Sequence, residues 1–152
     1  MKELVIGFLI ALFVSSYMNS NAPAPFQNGW NFGAANLGLP DPINDVNAGT
    51  FQGEVLDSHT PVLAEFYTQS DPHSTAMKPA LSQLATESQG FVRIVRIDAD
   101  ANAALTQRYD IKSYPSFVLF KEGKAVNGTS GEMEKKDLEN WVKKELDIPT
   151  NQ

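Results

Sequence analysis

Residues 62–74 read VLAEFYTQSDPHS, and this stretch predicts the centre of the fold. It begins with a compact apolar run around one acid, Glu65, which is typical of a buried central strand. Asp71 followed by Pro72 is typical of a helix start, because a carboxylate can accept hydrogen bonds from the free N–H groups and proline is favoured at the first helical position. The stretch therefore predicts a strand that leads through a short turn into a helix.

Strand and helix patterns alternate along the chain on both sides of this stretch. The predicted strands are 43–46, 61–67, 91–97, 116–120 and 124–127. The predicted helices are one that Thr50 caps, then 72–88, 100–109 and 134–146. A tight turn at Glu122 and Gly123 joins the last two strands into a hairpin. This alternation predicts an α/β fold with a mixed central sheet and helices on both faces.

The segment 43–146 resembles thioredoxin throughout its length. The run 62–67 stands where that family has a central strand ending in an acid, Phe and Trp, and Pro79-Ala80-Leu81 follows at the family's distance. Tyr114-Pro115-Ser116 matches the loop that carries a cis-proline in thioredoxins, ahead of 117–123. The resemblance implies a thioredoxin-like domain, which we place at residues 43–149.

The redox motif of that family is lost from this chain. Its Trp-Cys-Gly-Pro-Cys sequence falls on Ser70-Asp71-Pro72-His73-Ser74, so Asp71 takes the place of the nucleophile and Ser74 that of the resolving thiol. The sequence contains no cysteine, and disulfide exchange requires a thiolate. We therefore expect a redox-inactive protein that is not an enzyme and has no catalytic residues and no cofactor.

Glu65 and Arg96 match an acid and a base of the thioredoxin pattern, and we expect them to form a buried ion pair. Without a cation beside it, burial would raise the pKa of Glu65. A metal site built from Glu65, Asp71 and His73 is a weaker alternative, because the His-rich spacing of such sites is missing and we expect no metal. A hydrolytic trio of Asp71, His73 and Ser74 is weaker still, since no oxyanion hole is indicated.

Pro115 suggests a second role that needs no cysteine. In thioredoxins its loop presents backbone groups that pair with an extended substrate segment. The resemblance therefore implies a peptide-binding or partner-binding face, and the residues we assign to it are Tyr67, Asp71, Pro72, His73, Tyr114 and Pro115. The alternative is that Pro115 only shapes the turn between helix and strand.

The N-terminus carries an apolar run from residue 4 to residue 18, and we assign residues 1–18 to a membrane anchor or an export signal. About 15 residues of helix span about 22 Å, less than the roughly 30 Å of a hydrocarbon core, which favours a cleaved signal. The best cleavage positions, Ala22 and Ala24, are each followed by proline, which favours a retained anchor. Both alternatives stay open.

The distribution of basic residues predicts the orientation of such an anchor. After Lys2, no Lys or Arg follows until Lys78. The positive-inside rule then places the N-terminus in the cytoplasm and the domain in the periplasm or an equivalent lumen. Secretion after signal cleavage is the alternative.

Residues 19–42 form a connector that is rich in Asn, Gly and Pro and still includes Trp30 and Phe32. It is either a flexible spacer or an extended segment whose aromatic side chains lie on a partner or on the domain. The formal net charge of −6 leaves no basic surface for nucleic acid.

Together these observations predict a redox-inactive thioredoxin-like protein that serves as a membrane-anchored structural or binding subunit of a larger membrane protein complex on the non-cytoplasmic side. Its N-terminal helix and connector would contact that complex. The alternative is a non-redox chaperone that holds extended polypeptides at the cis-proline loop.

Overall fold

A computed structural model describes residues 42–88 and 90–148. The anchor or signal at 1–18 and the connector up to residue 41, with Trp30 and Phe32, lie outside the described residues and stay predictions. Among the described residues, none of the helices combines the length and the apolar character needed to cross a membrane.

The described chain forms a five-stranded mixed sheet with helices on both faces. The strands are β1 (Asn44–Asp45), β2 (Val62–Tyr67), β3 (Arg93–Asp98), β4 (Ser116–Lys121) and β5 (Lys124–Ser130). The helices are α1 (Pro72–Glu87), α2 (Ala103–Arg108) and α3 (Lys135–Glu145), and Gln52–Leu56 is a π-helical segment. The strand order is β1-β3-β2-β4-β5; β1, β3 and β2 run parallel, and β4 and β5 are antiparallel to their neighbours. The α/β prediction is confirmed.

β2 lies in the middle of the sheet because both of its faces are apolar. Leu63 belongs to the cluster on the α1 and α3 side, whereas Val62, Ala64 and Phe66 belong to the cluster on the opposite side. The first cluster also includes Met77, Leu81, Leu84, Phe117, Leu119, Leu138 and Val142. The second also includes Phe51, Val55, Val95, Ile97, Leu105, Val118 and Phe120. Burying one such aliphatic or aromatic side chain contributes about 1.5–3 kcal/mol, so these two layers fix the position of β2.

The start of the π-helical segment differs from the prediction that Thr50 caps a helix. The side-chain oxygen of Asn47 accepts hydrogen bonds from the N–H groups of Gly49 and Thr50 at 2.8 and 3.1 Å. The segment closes with the N–H of Asp57 donating to the carbonyl oxygen of Gln52 at 2.8 Å, the wider ring that defines a π-helix. The Thr50 prediction was wrong because an Asn side chain organises such a turn as readily as a Thr hydroxyl.

The third strand begins later than predicted. The N–H of Phe91 donates to the carbonyl oxygen of Ser88 at 2.8 Å, and Gly90 adopts a positive φ of 86°. This reversal after α1 keeps Phe91 out of the sheet and leaves it 74% exposed, so β3 starts at Arg93. An apolar residue next to a buried strand is not always part of it.

The predicted tight turn between β4 and β5 is present, with positive φ angles of 52° at Glu122 and 74° at Gly123. Two successive positive φ values suit a two-residue hairpin turn. A Cβ at Gly123 would lie 2.5 Å from the carbonyl oxygen of Leu56, so the turn packs on the end of the π-helical segment.

Gly123→Ala is expected to lower the free energy of unfolding by about 2 kcal/mol or more. Alanine is strained in this left-handed backbone conformation, and its Cβ would clash with the backbone of Leu56. Gly53→Ala is the matched control, since a Cβ there meets nothing within 4 Å. Urea unfolding followed by circular dichroism measures both variants. Equal stability of the two variants would contradict this description of the turn.

Candidate functional site

Asp71 begins α1 and holds its first turn in place. It has an extended backbone, with φ −87° and ψ 117°, and both the N–H and the hydroxyl of Ser74 donate to its Oδ2 at 2.7 Å. Hydrogen bonding from the Ser74 hydroxyl, reinforced by the Ser74 N–H, lowers the pKa of Asp71. A stable carboxylate therefore sits at the helix N-terminus, where an anion is favoured by the dipole.

The Ser74 hydroxyl is buried and already bonded to Asp71, so it is not poised as a nucleophile. His73 turns to another partner: its Nδ1 lies 2.6 Å from Oε2 of Glu132. That hydrogen bond and the charge of Glu132 raise the pKa of His73. Ser74 therefore bonds Asp71 and His73 bonds Glu132, so the hydrogen bond between serine and histidine that a hydrolytic triad needs is not formed.

Glu65 and Arg96 meet across neighbouring strands in the register β2 to β3. Nε of Arg96 donates to Oε2 of Glu65 at 2.5 Å, and the guanidinium carbon lies 3.8 Å from the centre of the Tyr67 ring. Burial raises the pKa of Glu65, and the charge of Arg96 opposes that rise. Within the described chain, Oε1 of Glu65 is buried without a hydrogen-bond partner. The pair is a buried, imperfectly satisfied ion pair between the central strands.

The peptide bond between Tyr114 and Pro115 is cis. Two hydrogen bonds hold this loop. The Ser116 hydroxyl donates to the carbonyl oxygen of Ser113 at 2.6 Å. The N–H of Gly131 donates to the carbonyl oxygen of Pro115 at 2.8 Å. Among residues 42–88 and 90–148, no backbone group bonds the N–H or the C=O of Tyr114. The N–H donor and the C=O acceptor of Tyr114 therefore have no backbone partner within these ranges.

An open groove lies beside this loop, between the first half of α1 and the segment that joins β5 to α3. We call it the cis-proline groove. Its lining residues are His73, Ala76, Met77, Ala80, Tyr114, Gly131, Glu132, Met133, Glu134 and Lys135.

The structure brings together only part of the face predicted from sequence. His73 and Tyr114 line the groove, with Asp71, Pro72 and Pro115 adjacent to them in the chain, while Tyr67 stacks on Arg96. The wall formed by residues 131–135 was missed, because the last strand was predicted to end at residue 127 and in fact continues to Ser130. The predicted start of α3 at Glu134 was the sequence signal that could have indicated this wall.

Metal binding gains no support from the described residues, where no three His, Asp or Glu side chains are grouped as ligands.

Comparison with known proteins gives a consistent picture. The thioredoxin family model matches residues 42–144. The chain is 29% identical over 103 residues to a thioredoxin of Rickettsia felis, covering 68% of this chain and 98% of that protein. It is 31% identical over 101 residues to thioredoxin 1 of a Nostoc species, covering 66% and 94%. Protein disulfide-isomerase 2-3 of Arabidopsis thaliana is 30% identical over 117 residues, covering 77% and 27%.

Asp71→Ala is expected to lower the free energy of unfolding at neutral pH, because Ser74 loses its acceptor and the helix its cap. Because the folded-state pKa of Asp71 lies below the ordinary 3.8, the stabilisation is complete above that value and is lost as the pH falls through the folded-state pKa. The stability difference between wild type and Asp71→Ala should therefore shrink in acid. Asp71→Asn, which retains a capping oxygen, is the control. A difference that is independent of pH would contradict an ionised cap.

Glu65→Leu is expected to cost about 3–5 kcal/mol of folding free energy, because Arg96 stays buried without its partner. The double variant Glu65→Leu/Arg96→Met should recover most of this loss, because two apolar side chains of similar volume can be buried without the free-energy cost of removing charges from water. Chemical unfolding of wild type, both single variants and the double variant gives the coupling energy. Additive losses would show that the two side chains do not depend on each other.

Proposed function

We propose that this chain is a binding protein that has the family fold without dithiol chemistry. The reason is that the chain belongs to the thioredoxin family and yet contains no cysteine. Its relatives are thioredoxins and a disulfide isomerase by name. Thiol–disulfide exchange needs a thiolate that attacks sulfur, and neither the Asp71 carboxylate nor the Ser74 hydroxyl can replace it.

The observation that carries this proposal is the unpaired backbone of Tyr114 beside the cis-proline groove. An extended polypeptide can add to such a backbone edge through main-chain hydrogen bonds, and its side chains then enter the adjacent groove. Nothing in this mode of recognition uses sulfur chemistry. The substitution of both redox positions therefore removes the reaction and leaves the docking surface.

We place this binding protein at a membrane, as a subunit of a larger membrane protein complex on the non-cytoplasmic side. The support is the apolar run 4–18, the single Lys2 before it and the aromatic residues Trp30 and Phe32 in the connector. The anchor would concentrate the domain beside its partner, and the groove would then hold one extended segment of that partner.

A chaperone that holds many different polypeptides is the second candidate. Met133 favours it, because this partly exposed side chain lines the groove and methionine side chains adapt to ligands of different shape. The two candidates share the groove and differ in the number of partners.

Intact-mass measurement of the native protein, extracted in mild detergent with its co-purifying proteins, separates the candidates. An anchored subunit should retain residues 4–18 and bring down partners in fixed stoichiometry. A shorter, soluble chain without stoichiometric partners would contradict the anchored subunit and favour the chaperone.

Ala76→Trp should abolish binding of an extended polypeptide, because Ala76 is exposed on α1 and an indole there fills the groove. Thr86→Trp on the same helix is the control, since Thr86 does not line the groove. Partner co-purification and suppression of client aggregation are the two readouts. Unchanged values for Ala76→Trp in both assays would refute binding at this groove.

A further inference from the structure

We propose that the extended polypeptide bound in the cis-proline groove has a basic segment there. In this segment, one apolar side chain contacts the groove floor, and Lys or Arg residues stand on either side of it. The premise is the proposed function, and the charge of the segment is the new element. It follows from which charges around the groove already have partners and which do not.

The floor of the groove is apolar and takes the central side chain of the segment. Its apolar side chains are Ala76, Met77, Ala80, Tyr114 and Met133. Met77 is fully buried, whereas Tyr114 and Met133 are partly exposed and can still lose surface to a ligand. The unpaired backbone of Tyr114 fixes the direction of the segment.

Two basic side chains line the groove, and each already contacts a carboxylate. His73 contacts Glu132 at 2.6 Å, and Nζ of Lys135 contacts Oε2 of Glu87. Since His73 and Lys135 both line the groove, an incoming acidic side chain would have to compete with the carboxylate that each of them already contacts.

Two acids form no ion pair among the described residues, one that lines the groove and one just before its α1 wall, and we call them the acidic rim. Glu134 lines the groove at the start of α3. Asp71 is the N-cap residue of α1 and precedes His73, the first lining residue of the opposite wall, by two positions. Both hydrogen bonds from Ser74 go to Oδ2 of Asp71.

Helix dipoles do not cancel this charge. Each helix N-terminus carries about half of a positive elementary charge, whereas an ionised carboxylate carries a full negative one. The rim is therefore net negative on both walls, and Lys or Arg residues on either side of the apolar anchor can contact Asp71 and Glu134. The overall charge of −6 acts in the same direction at longer range.

Three fluorescein-labelled decapeptides test the proposal on the full chain in mild detergent. They share one sequence with a central Leu and carry Lys, Gln or Glu at the two flanking positions. Fluorescence anisotropy at low salt should rank the affinities Lys above Gln above Glu. We expect about a threefold change for each charge, and a loss of the ranking at high salt, as for partly exposed ion pairs.

Asp71→Asn and Glu134→Gln should each reduce the ratio of the affinity for the Lys peptide to the affinity for the Gln peptide. Asp147→Asn is the charge-matched control, because Asp147 follows α3 at the far end from the groove and its positive φ of 55° is tolerated by Asn. A loss of preference in the control as well would overturn the rim and assign the effect to net charge.

The outcomes also separate this proposal from its premise. Equal affinities of the three peptides, with binding still blocked by Ala76→Trp, overturn the basic segment and keep the polypeptide groove. Tighter binding of the Glu peptide does the same. No binding of any peptide, or binding that Ala76→Trp does not affect, overturns both.

Discussion

The free N–H groups at the start of α1 need an acceptor, and the rest of the site depends on how this chain supplies one. Asp71 places its carboxylate there and takes two hydrogen bonds from Ser74. The cap fixes where α1 begins relative to the end of β2, and therefore where His73 and Ala76 form one wall of the groove. Thioredoxin-like redox chemistry would place a thiolate at this terminus; here a carboxylate gives the same negative charge without the reaction.

Most of the fold could be predicted from sequence because its signals are local and strong. The apolar run of β2, the Asp71-Pro72 start of α1 and the turn at Glu122 and Gly123 each have a single physical reason and were placed within a residue or two. The sequence predictions failed where a tertiary contact determines the local structure. Asn47 displaced Thr50 as the organiser of the π-helical segment, and a backbone reversal at Gly90 moved Phe91 into solvent.

The candidate site could be predicted only in part, because it forms between elements that are distant in sequence. The resemblance to thioredoxin supplied Asp71, Tyr114 and Pro115, and the structure shows how they are held. It could not supply Glu132 or Glu134, because their wall exists only where β5 ends against the Pro115 loop. Side chains that face each other across a groove follow from packing of whole elements, and no spacing rule within one segment reports them.

Site-specific photo-cross-linking in the cells that express this protein tests the central claim most directly. A benzophenone amino acid is placed at Tyr114, in the groove, and separately at Val126, which is exposed on the edge strand β5. We predict that only position 114 cross-links to an extended segment of a partner, that reducing agents do not change the yield, and that Ala76→Trp abolishes it. Equal cross-linking from both positions, or a yield at position 114 that falls when reductant is added before irradiation, would contradict a groove that binds polypeptide without redox chemistry.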